Sequence, residues 1–148
     1  KFKSLGRYAD GYVGYFLNRL GKERFRIYKG ENYIGPSTLF MRVTNSYTLL
    51  WAKEVLGETE YLVGGITKQG RRLRINNPLG MIEYCILMQS NGASLKTRFL
   101  YSLQGFAYMG FLNHEEKKLV RQKEFIPLAK GLGIILTIFW KIKFLTRR

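Results

Sequence analysis

Residues 71–88 read RRLRINNPLGMIEYCILM, and the period assigned to this stretch decides the fold. In residues 71–76, Arg72 and Arg74 alternate with Leu73 and Ile75, a period of two that suits a strand with one wet face. Asn76-Asn77-Pro78-Leu79-Gly80 is a cluster of turn formers, and residues 81–88 are a strand-length apolar run around Cys85. The local reading is therefore two short strands joined by a tight connection.

The neighbouring segments extend that pattern. Lys68-Gln69-Gly70 has the form of a three-residue hairpin loop with glycine in the left-handed position, linking residues 60–67 to 71–76. Asn91-Gly92 is a short hairpin signal leading into residues 95–103. Upstream, residues 24–29 alternate, with Phe25 and Ile27 assigned to the core and Arg24 and Arg26 to the outside. Residues 38–44 and 47–55 are further strand candidates around Asn45-Ser46, after a turn at 33–37. About seven short strands with close turns predict an α+β, β-rich protein, an antiparallel meander closed as a barrel or sandwich.

Helical texture is confined to the ends. Residues 10–20 suit a short helix capped by Asp10 and ended by Gly21. Asn113 with Glu116 three positions on has the spacing of a capping box, and Pro127 interrupts before a last apolar segment, 128–145. The expected organisation is a basic β-rich unit over 1–112 and a helical extension over 113–148.

Charge narrows the function. The 148 residues carry 25 Lys+Arg against 10 Asp+Glu, a formal +15, yet 15% are aromatic. A folded domain so basic is expected to work against something negative, nucleic acid or an anionic membrane. The charge is uneven: residues 1–30 hold eight basic and two acidic groups, a local +6, whereas residues 31–60 hold two and four, a local −2.

The catalytic inventory is thin, because Asp10, His114 and Cys85 are the only residues of their kinds. No nucleophile triad, zinc site or phosphate-cradling glycine loop can be assembled, so no catalytic residue, metal or cofactor is expected. Cys85 in its apolar run is expected to be a small buried hydrophobe. A single cysteine forms no internal disulfide and agrees with a reducing compartment, cytoplasm or an organelle. A start at Lys1 rather than methionine points to a processed or incomplete N-terminus.

The expected nucleic-acid face consists of Arg24, Arg26, Arg71, Arg72 and Arg74. Side chains two apart on a strand lie roughly 6–7 Å apart, matching successive phosphates. Tyr28, Tyr33 and Tyr47 would offer base-stacking platforms, and Lys117, Lys118, Arg121, Lys123, Arg147 and Arg148 would extend the contact along the C-terminal segments. The leading expectation is a non-catalytic structural subunit of a ribosome-like ribonucleoprotein, binding RNA backbone (rRNA above all) beside neighbouring proteins. A viral coat or packaging protein is a third possibility.

The alternative is an accessory subunit of an organellar membrane complex. Its anchor would be the segment 128–145, built on the uncharged run Gly-Leu-Gly-Ile-Ile-Leu-Thr-Ile-Phe-Trp over residues 131–140, with Leu132, Ile135, Leu136, Phe139 and Trp140 as the membrane or partner face. The run is shorter than the roughly 20 apolar residues a spanning helix needs, so the segment reads as an interfacial helix, a marginal anchor or a helix buried against a partner, with a core helix of this domain as the equal alternative.

Overall fold

The computed structural model describes residues 15, 18, 20–44, 46–47, 65–90, 92–120 and 124–145. Among them the chain is helical, with no strand, sheet or barrel. The elements are α1 (Pro36–Thr44), a 3-10 turn (Ile66–Gln69), α2 (Gly70–Ile75), α3 (Pro78–Leu87), α4 (Leu95–Met109), α5 (His114–Leu119), a second 3-10 turn (Pro127–Ala129) and α6 (Lys130–Trp140). The last helix continues into a π-helical turn, Lys141–Leu145.

The β-rich meander is thereby overturned. Residues 38–44 lie in α1, 71–76 in α2 and its cap, 81–88 in α3 and its cap, and 95–103 in α4. Residues 24–29 are neither helix nor paired strand. The expected helix at 10–20 and the strands at 47–55 and 60–67 fall largely outside the described residues.

The physical reason is clearest in α3. Pro78, Leu79, Gly80, Met81, Ile82, Glu83 and Cys85 are all buried, so the helix is enclosed on nearly every side. A helix with no wet face has no amphipathic period, and its sequence is indistinguishable from that of a buried strand. Pro78 at the first helical position is the overlooked start signal, since its missing N–H has no partner to lose there. The alternation in α2 spans six residues, too few to separate a period of 2 from 3.6. Gly70 and Gly92 do adopt positive φ, +50° and +89°, but they turn the chain between helical elements.

Segment 28–35 is clamped onto the α2–α3 junction. The Asn77 side chain, 1% exposed, accepts from the backbone amides of Asn32 (2.9 Å) and Tyr33 (3.0 Å) and donates to the Leu73 carbonyl (2.7 Å). The Glu31 carboxylate accepts from the amides of Leu79 and Gly80 and so caps α3 from outside the helix. Burial raises the Glu31 carboxyl above its ordinary range, and those two amides oppose the shift.

α3 packs on α1 and α4, and α4 packs on α6. Two buried hydroxyls tie α4 to its neighbours. Ser102 donates to Gln89 (2.8 Å) and accepts from the Ile126 amide (2.8 Å), while the Thr137 hydroxyl lies 2.9 Å from the Ala107 carbonyl. Small residues let the helices approach: a Cβ on Gly133 would stand 2.5 Å from Phe106 Cβ and 3.0 Å from the Leu103 carbonyl, neither of which can swing aside. Gly133→Ala is therefore expected to destabilise the fold by about 2–3 kcal/mol by forcing α4 and α6 apart. Gly131 is exposed with open space around it, so Gly131→Ala in the same helix should stabilise by about 0.5–1 kcal/mol. Denaturant titration of the pair measures both, and equal effects would disprove the close-approach account.

Candidate functional site

α6 has two faces of different use. Gly133, Thr137 and Trp140 are buried against α4, with Leu136 and Phe144 packed on the core beside them. The opposite face keeps large apolar side chains in solvent: Leu132, Ile134, Ile135, Ile138 and Phe139 are 49–63% exposed. Leu128 before the helix, at 82%, lengthens the strip. Lys130, Lys141 and Lys143 are exposed at its two ends, and Lys143 Nζ lies 5.5 Å from the Phe139 and Phe144 ring centroids. Helix and π turn together hold 11 and 5 residues. At 1.5 Å per residue they extend about 24 Å, short of the roughly 30 Å hydrocarbon core. Among the described residues no helix is long and apolar enough to cross a membrane.

The five residues expected on this face therefore divide. Leu132, Ile135 and Phe139 are on the open side, Trp140 is 4% exposed in the core, and Leu136 is half-buried. Trp140 is held in an aromatic box, its ring 5.0 Å from Tyr108 and 6.4 Å from Phe111, with the Arg71 guanidinium 4.7 Å above it. Arg71 also donates to the Tyr108 hydroxyl at 3.0 Å. Burial raises the Tyr108 pKa, and Arg71 opposes the rise. The box ties the position of α6 to α2.

The expected arginine face is not assembled as strands. Arg71 is committed to the box. Arg26 forms an ion pair with Glu83 (3.3 Å), and Arg24 donates to the carbonyls of Gly21 (3.1 Å) and Glu23 (2.7 Å). Arg72 and Arg74 are exposed on α2, a helix, so the two-residue match to phosphate spacing does not apply. On α5, Lys117 and Lys118 are exposed, Lys118 paired with Glu115 at 2.7 Å. Arg121, Lys123, Arg147 and Arg148 lie outside the described residues. Tyr28 donates to Glu83 at 3.0 Å, and burial, with help from Glu83, pushes its pKa up to about 12, so it stays a donor at neutral pH. Tyr33 is partly buried and Tyr47 is 45% exposed.

Arg42 was not anticipated as a structural centre. Its guanidinium donates to Glu83, to Glu23 (3.0 Å) and to the Arg24 carbonyl, joining α1, α3 and segment 23–28. Nothing in a run of alternating residues marks such a partner, because Glu83 is 41 residues away.

Cys85 is fully buried, and burial pushes its thiol up to about 12, far from a reactive thiolate. His114 is exposed at the start of α5, where Asn113 and Glu116 form the capping box read from sequence. Two open clefts, of about 290 and 300 Å³, border Gly30 and Asn76. The first brings Glu31 and Glu116 together, but Glu31 caps α3 and Glu116 closes its own capping box. Among the described residues no three potential ligands gather for a metal ion.

What distinguishes the chain chemically is thus an exposed apolar strip with lysines at its ends. No protein-family model, curated protein or solved structure matches the chain.

Proposed function

We propose that this chain attaches to the surface of an anionic lipid bilayer through α6, as the membrane-contacting part of a larger assembly. The observation that carries this reading is the open face of α6, where Leu132, Ile134, Ile135, Ile138 and Phe139 stand in solvent while the opposite face is packed on α4. A strip of this kind lies in the interface plane, its apolar side chains below the headgroups and its lysines at phosphate level. The formal +15 charge then steers the molecule to anionic lipid, each cation near the surface contributing about 1 kcal/mol.

The ribonucleoprotein reading has less support, since three of its five arginines make interactions within the chain. Among the described residues, exposed Arg72, Arg74 and Lys117 remain for RNA, which makes RNA the competing ligand in the test.

Vesicle co-sedimentation provides it. Binding should be strong on vesicles with about one-third phosphatidylserine, weak on phosphatidylcholine alone, and only partly reversed at 0.5 M salt, because the apolar contribution is not screened. Binding abolished by salt, together with displacement by RNA of the same charge, would favour the polyanion reading instead.

A further inference from the structure

Residues 24–28 belong to no helix and pair with no strand among the described residues. Arg26 and Tyr28 both reach one carboxylate, Glu83 (Nε–Oε1 3.3 Å, hydroxyl–Oε2 3.0 Å), Arg26 with its side chain still 59% exposed, while Phe25 and Ile27 are 47% and 93% exposed. The sequence expectation that sent Phe25 and Ile27 to the core thus fails, whereas Arg24 and Arg26 are exposed as expected. Among the described residues the backbone amides of 24–28 make no hydrogen bond, and the Arg24 carbonyl takes the Arg42 guanidinium. The segment is nevertheless fixed, by Glu83 and Arg42 along its length and by the Glu31 cap beyond it.

We infer that residues 24–28 are a docking edge that accepts an added β-strand from a partner polypeptide in which acidic and apolar residues alternate. Unmade backbone hydrogen bonds beside exposed Phe25 and Ile27 are what strand addition satisfies: main-chain bonds supply affinity and alternate side chains supply fit. The charge of the partner follows from the rim, where Lys22, Arg24 and Lys29 are exposed. Opposite charges across a strand pair favour an acidic guest. A second copy would bring the same cations edge to edge, and a bilayer would leave the amides unbonded in hydrocarbon, which costs several kcal/mol per group. Neither suits this edge, and the inference is independent of what α6 binds.

The test uses labelled hexapeptides of alternating glutamate and valine, or lysine and valine, titrated against the whole chain by fluorescence anisotropy. The acidic peptide should bind at least tenfold more tightly, weaken with salt, and slow hydrogen exchange at amides within residues 24–28. Ile27→Pro, which removes one amide and one apolar side chain, should reduce that binding at least tenfold. Equal binding of the two peptides, or binding that leaves exchange at 24–28 unchanged, overturns the inference. So does protection of these amides by anionic vesicles alone, or by raising protein concentration with a doubled mass in light scattering.

Discussion

Arg42→Met should destabilise the folded chain by about 3–5 kcal/mol, the cost of leaving a buried carboxylate without its main counter-charge. The Glu83 side chain is 7% exposed and Arg42 12%, so water cannot replace the lost guanidinium. The remaining partners compensate poorly: Arg26 is 59% exposed, and Tyr28 offers a single neutral hydroxyl. The damage should extend beyond one pair, because Arg42 also holds the Arg24 carbonyl and Glu23. The N-terminal segment 23–28 should therefore lose protection in hydrogen exchange before α3 and α4 do. Introducing Glu83→Gln into the Arg42→Met background removes the stranded charge, and should recover at least about 1 kcal/mol in urea unfolding. A single-variant cost below about 1 kcal/mol would show that this network is ordinary surface electrostatics.

This network marks where sequence reading stops. Motifs whose partners lie within four residues were legible: the Asn113–Glu116 capping box, the left-handed conformation of Gly70 (though not the helical elements it joins), and the break at Pro127. The apolar segment after residue 128 was legible as well, because one face of α6 is open and its composition is unbroken by charge. Features that depend on enclosure were not. α3 is buried all round and has no period to read. In residues 24–28, Phe25 and Ile27 are exposed, while Arg26 and Tyr28 are held by Glu83, 55 positions from Tyr28. A buried carboxylate thus fixes this segment through polar contacts that hydrophobicity alone does not reveal. Arg71 shows the same effect: it reads as solvated charge, but Trp140 and Tyr108 offer it a ring face and an acceptor. One clue was available in Leu95–Met109, where Phe99, Leu103 and Phe106 follow helical spacing behind the Ser94 cap, whose hydroxyl accepts from the Thr97 amide at 3.1 Å.

The same separation of faces gives the largest effect on binding. Ile135→Glu with Ile138→Glu should reduce affinity for anionic vesicles at least about a thousandfold while leaving unfolding nearly unchanged. The two isoleucines are 63% and 54% exposed, so they contribute little to the core and most of their apolar surface remains to be buried. Full burial of such a side chain yields about 1.5–3 kcal/mol, and the exposed half of two yields roughly 2–3 kcal/mol. Each new carboxylate also meets negative headgroups, at about 1 kcal/mol apiece, so the combined loss is roughly 4–5 kcal/mol, which is three or more orders of magnitude in affinity. Trp140→Ala is the converse. Its ring is 4% exposed against Tyr108, Phe111 and Arg71, so its loss should destabilise the fold by about 3–5 kcal/mol. The fraction that remains folded should still bind vesicles. If the glutamate pair binds anionic vesicles as the parent does, α6 is not the membrane contact, and its open face must be covered by protein instead.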